Sequence, residues 1–460
     1  MLTEDLINQK NNDKIHKQLN DFKYKIIVLD DDPTGTQTVK DLPVYTDWSE
    51  DLIEDGFKQA NHMFYILTNS RALNEQETTK LHQEISRNIE LVSRRLDYPF
   101  IVISRGDSTL RGHFYLEPKV LSDASEKAFD AVFYLPEFFQ GERYTYNGVH
   151  YLKEDGKYTP VSESEFANDT TFGFDSQTMA DFIEEKSSGD VKAENVHHIT
   201  LSQIRERNKE SILQTFHTVS NFDAVVVDAL NDEDMDYFVS CLTAFLANDD
   251  KKFMFRTAAS FVKSMCQTPG EIINLNRFNN NNYGGLIIVG SHVKKTSLQL
   301  HHLLNNSHIT PIEFDVKSVT KADLNIYIDK RIQEVEGLIK NSKDVVVYTS
   351  RDVIKTEDLT NNLGISTNIS NALVEIVRGL SIKPKFIIAK GGITSSDVAT
   401  KGLEIKKAQV IGQITQGVPV WLTGEEAKYS NMPYVIFPGN IGSTNTLTNV
   451  YKMNSSIKEN

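Results

Sequence analysis

The sequence predicts an α/β protein of two domains, each a mostly parallel sheet flanked by helices, with a ligand cleft between them. Three observations predict it. Short apolar runs end repeatedly in clusters of Gly, Ser, Thr, Asp or Arg; helical stretches with apolar residues three and four apart often follow; and one polar, Asn-rich segment divides the runs into two sets. Continuous apolar strands alternating with helices mean parallel sheets covered on both faces. At 460 residues the chain exceeds one comfortable core, which agrees with two domains.

Taken in order, residues 1–22 read as a charged, amphipathic extension without the apolar core of a secretory signal. A first domain is expected over 23–273, with strands at 26–29, 63–67, 100–103, 131–135, 224–227 and 253–255. Between them, 75–96 carries Leu81, Ile85, Ile89, Val92 and Leu96 on one helical face, with acids early and arginines late. Residues 145–192 are irregular and rich in Gly, Ser and Asp, and read as an insertion or a β-hairpin lobe. The segment 274–285 (NLNRFNNNNYGG) is the expected linker. A second domain follows over 286–453, with strands at 286–289, 309–314, 345–348, 386–388, 418–422 and 434–437, helices at 322–340 and 370–380, and a tail at 454–460.

Hydrophobic content of 39% and charged content of 24% describe an ordinary globular chain. A net charge of −14 argues against nucleic acid as the main partner. Cys241 and Cys266 give neither a disulfide framework nor a zinc pattern, so a reducing cytoplasm fits. No apolar run approaches the roughly 20 residues that span a bilayer. Small-molecule ligands are therefore expected, and a homodimer is allowed.

The most informative stretch is 25–39, KIIVLDDDPTGTQTV. A buried strand delivers Asp30, Asp31 and Asp32 to a sheet edge, where open α/β folds place ligands. Adjacent carboxylates repel one another, so they are best tolerated beside a cation, a hydroxyl or water. One of them could serve as general base or bind Mg²⁺ through water. Thr34 follows in the turn. A second strand ends in SRGDSTLRG, where Arg105 and Arg111 flank Asp107 and Ser108. Arg presents a planar fork that grips carboxylate or phosphate with two hydrogen bonds. Arg71 in Thr68-Asn69-Ser70-Arg71 and Arg256 before Thr257-Ala258-Ala259-Ser260 repeat the theme at other strand ends.

In the second half, three Gly/Ser/Thr loops follow strands: 290–297 with Ser291, 391–396 with Gly391, Gly392, Ile393 and Thr394, and 439–443 with Gly439 and Asn440. Glycines let backbone N–H groups face a phosphate, and a following helix adds its positive end. None is a Walker A loop or a dinucleotide fingerprint. Three in one domain read as a nucleotide site. His197-His198 and His301-His302 lack zinc-helix spacing and read as surface residues. Asp232, Asp234 and Asp236 read as a helix N-terminus rather than a calcium loop. Trp48 and Trp421 read as packing residues.

Together, DDPTGTQ, SRGDSTLRG, GSHVKKTSLQ, AKGGITSSD and FPGNIGS resemble the four-carbon acid sugar kinase family, in order, from about residue 25 to 451. The resemblance implies a sugar-acid-binding N-terminal domain and an ATP-binding C-terminal domain. It further implies phosphoryl transfer to the terminal hydroxyl of a threonate, erythronate or 3-oxo-tetronate, with ATP and Mg²⁺. Asp31 and Asp32 match the paired family aspartates, Asp107 and Arg111 the DST-x-RG motif, and Ser291 the GS loop. Gly391, Gly392 and Thr394 match the GG-x-T loop, and Gly439 the last loop. Pro33 stands where many members have Phe, Thr38 where they have an acid and Ile393 where glutamate is frequent, which marks a subgroup. On this reading Thr34, Arg71, Arg105, Ser108, Arg111 and Arg256 bind the substrate, and Asp31, Asp32 or Asp107 takes the hydroxyl proton. Asp107 is favoured, because neighbouring arginines stabilise its anion. Two rivals are an NAD(P)-linked dehydrogenase, opposed by the missing fingerprint, and a non-catalytic sugar-acid sensor, opposed by the intact acidic cluster.

Overall fold

The computed structural model describes residues 2–9, 19, 22–154, 156–266, 268, 270–278, 281–320, 323–350 and 359–455. The expected extension at 1–22, linker at 274–285 and tail at 454–460 lie partly outside the described residues, as does Ala322 at the start of a predicted helix. The chain folds as two units, Met1–Thr38 with Asp47–Pro269, and Val39–Thr46 with Gly270–Asn460. In chain order the strands are β1 (Lys25–Asp30), β2 (Leu42–Tyr45), β3 (Met63–Leu67), β4 (Phe100–Arg105), β5 (Ala131–Leu135), β6 (Arg143–Tyr146), β7 (Val149–Glu154), β8 (Lys157–Pro160) and β9 (His197–Ile199). They continue as β10 (Asp223–Val227), β11 (Phe253–Thr257), β12 (Leu286–Val289), β13 (Thr310–Phe314), β14 (Val345–Thr349), β15 (Ile387–Lys390), β16 (Lys407–Thr415), β17 (Val418–Thr423) and β18 (Pro433–Phe437).

In the first unit β3, β1, β4, β11, β5, β10 and β9 lie side by side, all parallel. Every residue of β1, β3, β5 and β11 is buried, as expected of strands covered on both faces. Register sets the functional edge: Asp30 lies opposite both Leu67 and Arg105, and Arg256 lies opposite Ser104. The predicted helix is Glu75–Leu96. It opens on a capping box between Asn74 and Glu77 and buries Ile85, Ile89 and Val92. The described part of the N-terminal extension, a turn of helix at Glu4–Asn8, packs Leu2 and Ile7 against Tyr144, Leu201 and Leu230.

The irregular region contains a real lobe, the antiparallel sheet β6-β7-β8. Asp228, fully buried after β10, holds its tip by accepting from the Asn147 and Gly148 N–H groups at 2.9 and 3.0 Å. His198 also reaches Asp228, at 2.9 Å, so it is not the plain surface residue expected from the sequence. Asp232 and Asp234 sit in the first turn of the helix Asp232–Leu246, behind its Asn231 cap. Trp421 is fully buried.

In the second unit the order is β13-β14-β12-β15-β18-β17-β16-β2. The first five strands are parallel and the last three antiparallel. This departs from the sequence reading in two places. Residues 39–46, expected inside a continuous 23–273 domain, belong to the second unit, because β2 pairs with β16. β16 itself was not expected: Lys407, Gln409 and Gln413 interrupt its apolar pattern, as suits an edge-side antiparallel strand rather than a doubly covered one. The expected linker is likewise part of this unit. Leu275 is 1% exposed and joins the cluster of Ile287, Val289 and Phe386, so the described start of the expected linker is anchored to this unit's core.

Candidate functional site

Because β3, β1, β4 and β11 are neighbours, their C-terminal ends gather the acids and arginines of the first unit at one edge. Asp31 is completely buried and takes both prongs of Arg71, Nη2 at 2.6 Å and Nε at 3.2 Å. Arg71 Nη1 also lies 3.5 Å from Asp32 Oδ2. Asp32 Oδ1 accepts from the Thr34 N–H at 2.8 Å, which closes the turn. Asp30, 2% exposed, pairs with Arg105 at 3.2 Å. Burial pushes Asp30 up to about 7, and Arg105 offsets this only in part. Gly35 is required beside it: a Cβ there would stand 1.8 Å from Asp30 Oδ2.

Asp107 lies in the loop after β4. Arg111 Nε donates to its Oδ2 at 2.7 Å, and the Thr109 hydroxyl donates to the same oxygen. Its Oδ1 accepts from none of the described residues. Burial alone would raise this carboxyl, but Arg71 and Arg111 hold it well below the usual carboxylate range. Arg111 rests on the Phe166 ring, 4.9 Å from its centroid. Ser108 is half-buried, and its carbonyl receives His150 Nε2 at 2.9 Å.

Two predicted substrate contacts sit deeper than expected. Arg256 is 1% exposed and Arg105 5%. Arg256 Nη1 donates to Ser104 Oγ at 2.7 Å and to Glu117 Oε2, and Glu117 also accepts from Ser70 at 2.7 Å. This network braces the loop from beneath, since Arg256 Nη2 lies where a Gly106 Cβ would be, at 2.5 Å. Glu117 had no signal in the sequence, because it stands inside a short helix rather than at a strand end. Also unheralded are Glu137, Arg143 and His150. Glu137 is fully buried, neither Oε has a hydrogen-bond partner, and burial pushes it up to about 8. Burial pushes His150 down to about 4, so it is a neutral ring that donates from Nε2 to Ser108 and accepts from Thr145 at Nδ1, 3.0 Å away.

A second site lies in the other unit, where β12, β15 and β18 run side by side and parallel. Their following loops meet. A Cβ on Gly290 would fall 2.3 Å from Thr394 Oγ1, one on Gly391 would fall 3.0 Å from Ser291 Cβ, and one on Gly439 would fall 3.2 Å from Ser291 Oγ. Gly391 also holds φ +120, a conformation closed to most side chains. Ser291, Gly391, Gly392, Ile393 and Thr394 line one cavity of about 310 Å³, whose apolar wall is Ile369 and Leu373. Ile393, also on this cavity's lining, is 64% exposed. Asn440 is exposed next to Gly439. The helix Lys294–Asn305 secures the last loop through Thr296 Oγ1 to Gly439 O at 2.8 Å and Gln299 Nε2 to Ser443 O at 2.8 Å.

Lys390 went unremarked although the sequence signalled it, a cation closing an apolar strand before Gly-Gly. It is fully buried and donates to Pro438 O at 2.6 Å and Gly439 O at 3.3 Å, tying two of the loops together. Burial, reinforced by Lys295, pushes it down to about 7. A larger cavity of about 490 Å³ opens at the opposite edge of the first unit's sheet. Its cations are already engaged, Lys252 with Glu90 at 3.0 Å and Lys251 with Val219 O at 2.5 Å, so nothing there calls for an anion.

An arginine-and-acid strand edge in one α/β unit and glycine loops at a strand edge in the next define a two-domain class, one domain for a polar small molecule and one for a nucleotide. The comparisons agree. Residues 26–265 match the sugar-binding N-terminal domain and 286–447 the nucleotide-binding C-terminal domain, and the chain belongs to the family that joins them, the four-carbon acid sugar kinase family. Two crystal structures share the fold. A Salmonella typhimurium LT2 protein aligns with TM-score 0.63 at 16% identity, over 92% of this chain and 97% of that one. Haemophilus influenzae protein HI1011 aligns with TM-score 0.60 at 15% identity, over 93% and 99%. None of the curated proteins matches the chain. No helix among the described residues is long and apolar enough to cross a membrane.

Proposed function

We propose that the protein is an ATP-dependent kinase that phosphorylates the terminal hydroxyl of a four-carbon acid sugar of the threonate, erythronate or 3-oxo-tetronate type. The observation that carries this reading is the pairing, in one chain, of an ionised aspartate with an open Oδ1 in the sugar-binding domain and three converging glycine loops in the nucleotide-binding domain. Arg71 and Arg111 keep Asp107 anionic, so it can orient the attacking hydroxyl and accept its proton late, as the bond to phosphorus forms. Asp31 is committed to Arg71 and Asp32 is the more open of the pair, so their part is to fix Arg71 and the floor of the site.

Backbone N–H groups of the loops at Ser291, Gly391 and Gly439 would hold the ATP phosphates, with Ile393 against the nucleoside. The described residues form no cluster of three or more His, Cys, Asp or Glu able to hold a metal ion, and Asp31 and Asp30 are occupied by Arg71 and Arg105. Mg²⁺ would therefore enter with the nucleotide, where it neutralises phosphate charge. The buried thiols Cys241 and Cys266 suit a reducing compartment, and we place the enzyme in the cytoplasm. The test is ADP release across a panel of D- and L-threonate, D- and L-erythronate and 3-oxo-tetronate, with and without Mg²⁺. Acid-dependent, Mg²⁺-dependent ADP release is expected. If no acid in the panel raises ADP release above the ATP-only rate, the kinase reading is wrong.

A further inference from the structure

The arginines nominated for the substrate carboxylate share one property: each is already neutralised by its own chain. Arg71 is paired with Asp31, Arg105 with Asp30, Arg111 with Asp107 and Arg256 with Glu117. An acid entering this site must compete with those carboxylates for its cation. Arg143, on β6 of the hairpin lobe, differs. It is half-buried, and among the described residues it makes no ion pair. Its Nη1 donates to the Gly141 carbonyl, and its Nε is buried with no partner. The unpaired edge is the Nε/Nη2 fork, the same edge with which Arg71 grips Asp31 through two bonds; Nε is closed to solvent, so a ligand reaches both prongs only by displacing what covers it.

Strand register places Arg143 on the lobe face that meets the acid loop. In the β6–β7 pair Arg143 faces Leu152 and Thr145 faces His150, so these four side chains share one face of the lobe. On that face Leu152 packs with Leu110, and His150 bonds the Ser108 carbonyl at 2.9 Å. The face therefore covers residues 108–110, next to Asp107. Asp107 is the acid whose field acts most strongly on Arg143, and Arg143 in turn helps hold His150 neutral. A buried guanidinium without a counter-ion is costly, and burial accordingly pulls Arg143 below its ordinary value. A carboxylate seated on the fork removes that cost.

We infer that Arg143 is the carboxylate anchor of the sugar-acid site, gripping the acid end of the substrate through Nε and Nη2 while Asp107 Oδ1 attends to a hydroxyl. The inference rests on the sugar-acid reading above and names the residue that makes an acid, rather than a neutral sugar, the ligand. It also assigns the hairpin lobe a function: Asp228 and His150 hold β6 against the acid loop so that this fork is placed before the ligand arrives.

The test is equilibrium binding by calorimetry of D-erythronate, L-threonate and the neutral tetritols erythritol and threitol to wild type, Arg143→Lys and Arg143→Gln, with ATP binding as the control for folding. Wild type is expected to favour the acids, and Arg143→Gln to weaken them about 30-fold or more while ATP and tetritol binding stay unchanged. Arg143→Lys keeps the charge without the fork and should fall between the two. Undiminished acid binding in Arg143→Gln, or equal loss of acid and tetritol, overturns the inference and leaves the kinase reading intact. Arg143-dependent acid binding without ADP release does the reverse. Should the wild type bind neither acid, the inference fails, and the kinase reading is decided by the wider ADP-release panel.

Discussion

Asp107 and Asp30 stand at the ends of adjacent strands, yet their surroundings drive them apart. Two guanidiniums keep the first ionised far below neutrality, whereas burial lifts the second to about 7 despite Arg105. Only Asp107 has both a fixed charge and an uncommitted oxygen. Asp107→Asn should therefore keep nucleotide affinity and lose roughly 10²-fold or more in turnover, read by steady-state ADP release beside a nucleotide titration. Glu137 supplies a stability prediction. Its carboxyl rises from 4.5 to about 8 on folding, so the folded chain holds a proton that the unfolded chain has released. Stability contributed by this group is present below pH 4.5 and lost as pH climbs toward 8, by at most about 1.4 kcal/mol per unit. Glu137→Gln mimics the neutral acid. Its thermal midpoint should exceed that of wild type at pH 8, with the advantage shrinking toward pH 5. A pH-independent difference would show that proton uptake at Glu137 is not what sets it.

At the scale of elements, both sites are made by strand ends and the loops that leave them. β1 ends on the acids, and the loop after β4 brings Asp107 and Arg111 beside them. β12, β15 and β18 bring three glycine loops into van der Waals contact. Gly391 is constrained twice over on that side, with φ +120 and Ser291 Cβ 3.0 Å from where a Cβ would be. Gly391→Ala should strain the loop by about 1–3 kcal/mol. The expected result is at least tenfold weaker ATP binding with sugar-acid affinity untouched, read by titrating each ligand separately. Loss of both affinities would mean that the strain spreads beyond the loop. The hairpin lobe adds what strand ends alone do not supply, an arginine that makes no ion pair among the described residues.

For the whole molecule, the sugar-binding and nucleotide-binding domains fall in different compact units, so each ligand should stabilise the protein by itself. Saturation at about 100 times the dissociation constant is worth about 2.7 kcal/mol for a one-site ligand. Either ATP or a sugar acid alone should thus raise the thermal midpoint. Chelating Mg²⁺ should abolish turnover while leaving the sugar-acid shift in place. A sugar-acid shift that also vanishes with the chelator would require a metal in the first unit.

The class of fold, the order of its elements and the loops that bear polar groups could be read from the chain because each is a local property. A continuous apolar run declares a strand covered on both faces, and glycine, serine and charged residues at its end declare an edge. Thus 25–39, 104–113 and 391–396 were recognisable as strand ends that run into polar loops. What escaped was non-local. β2 joined the second unit because its hydrogen-bonding partner lies more than 360 residues away, and β16 was hidden by the polar residues that one-sided burial permits. Sequence showed that several arginines would gather near the acids. Only tertiary structure decided that those arginines are already spent on carboxylates, and that Arg143, which the sequence did not signal, makes no ion pair among the described residues, because an ion pair depends on where two distant side chains end, not on what either residue is.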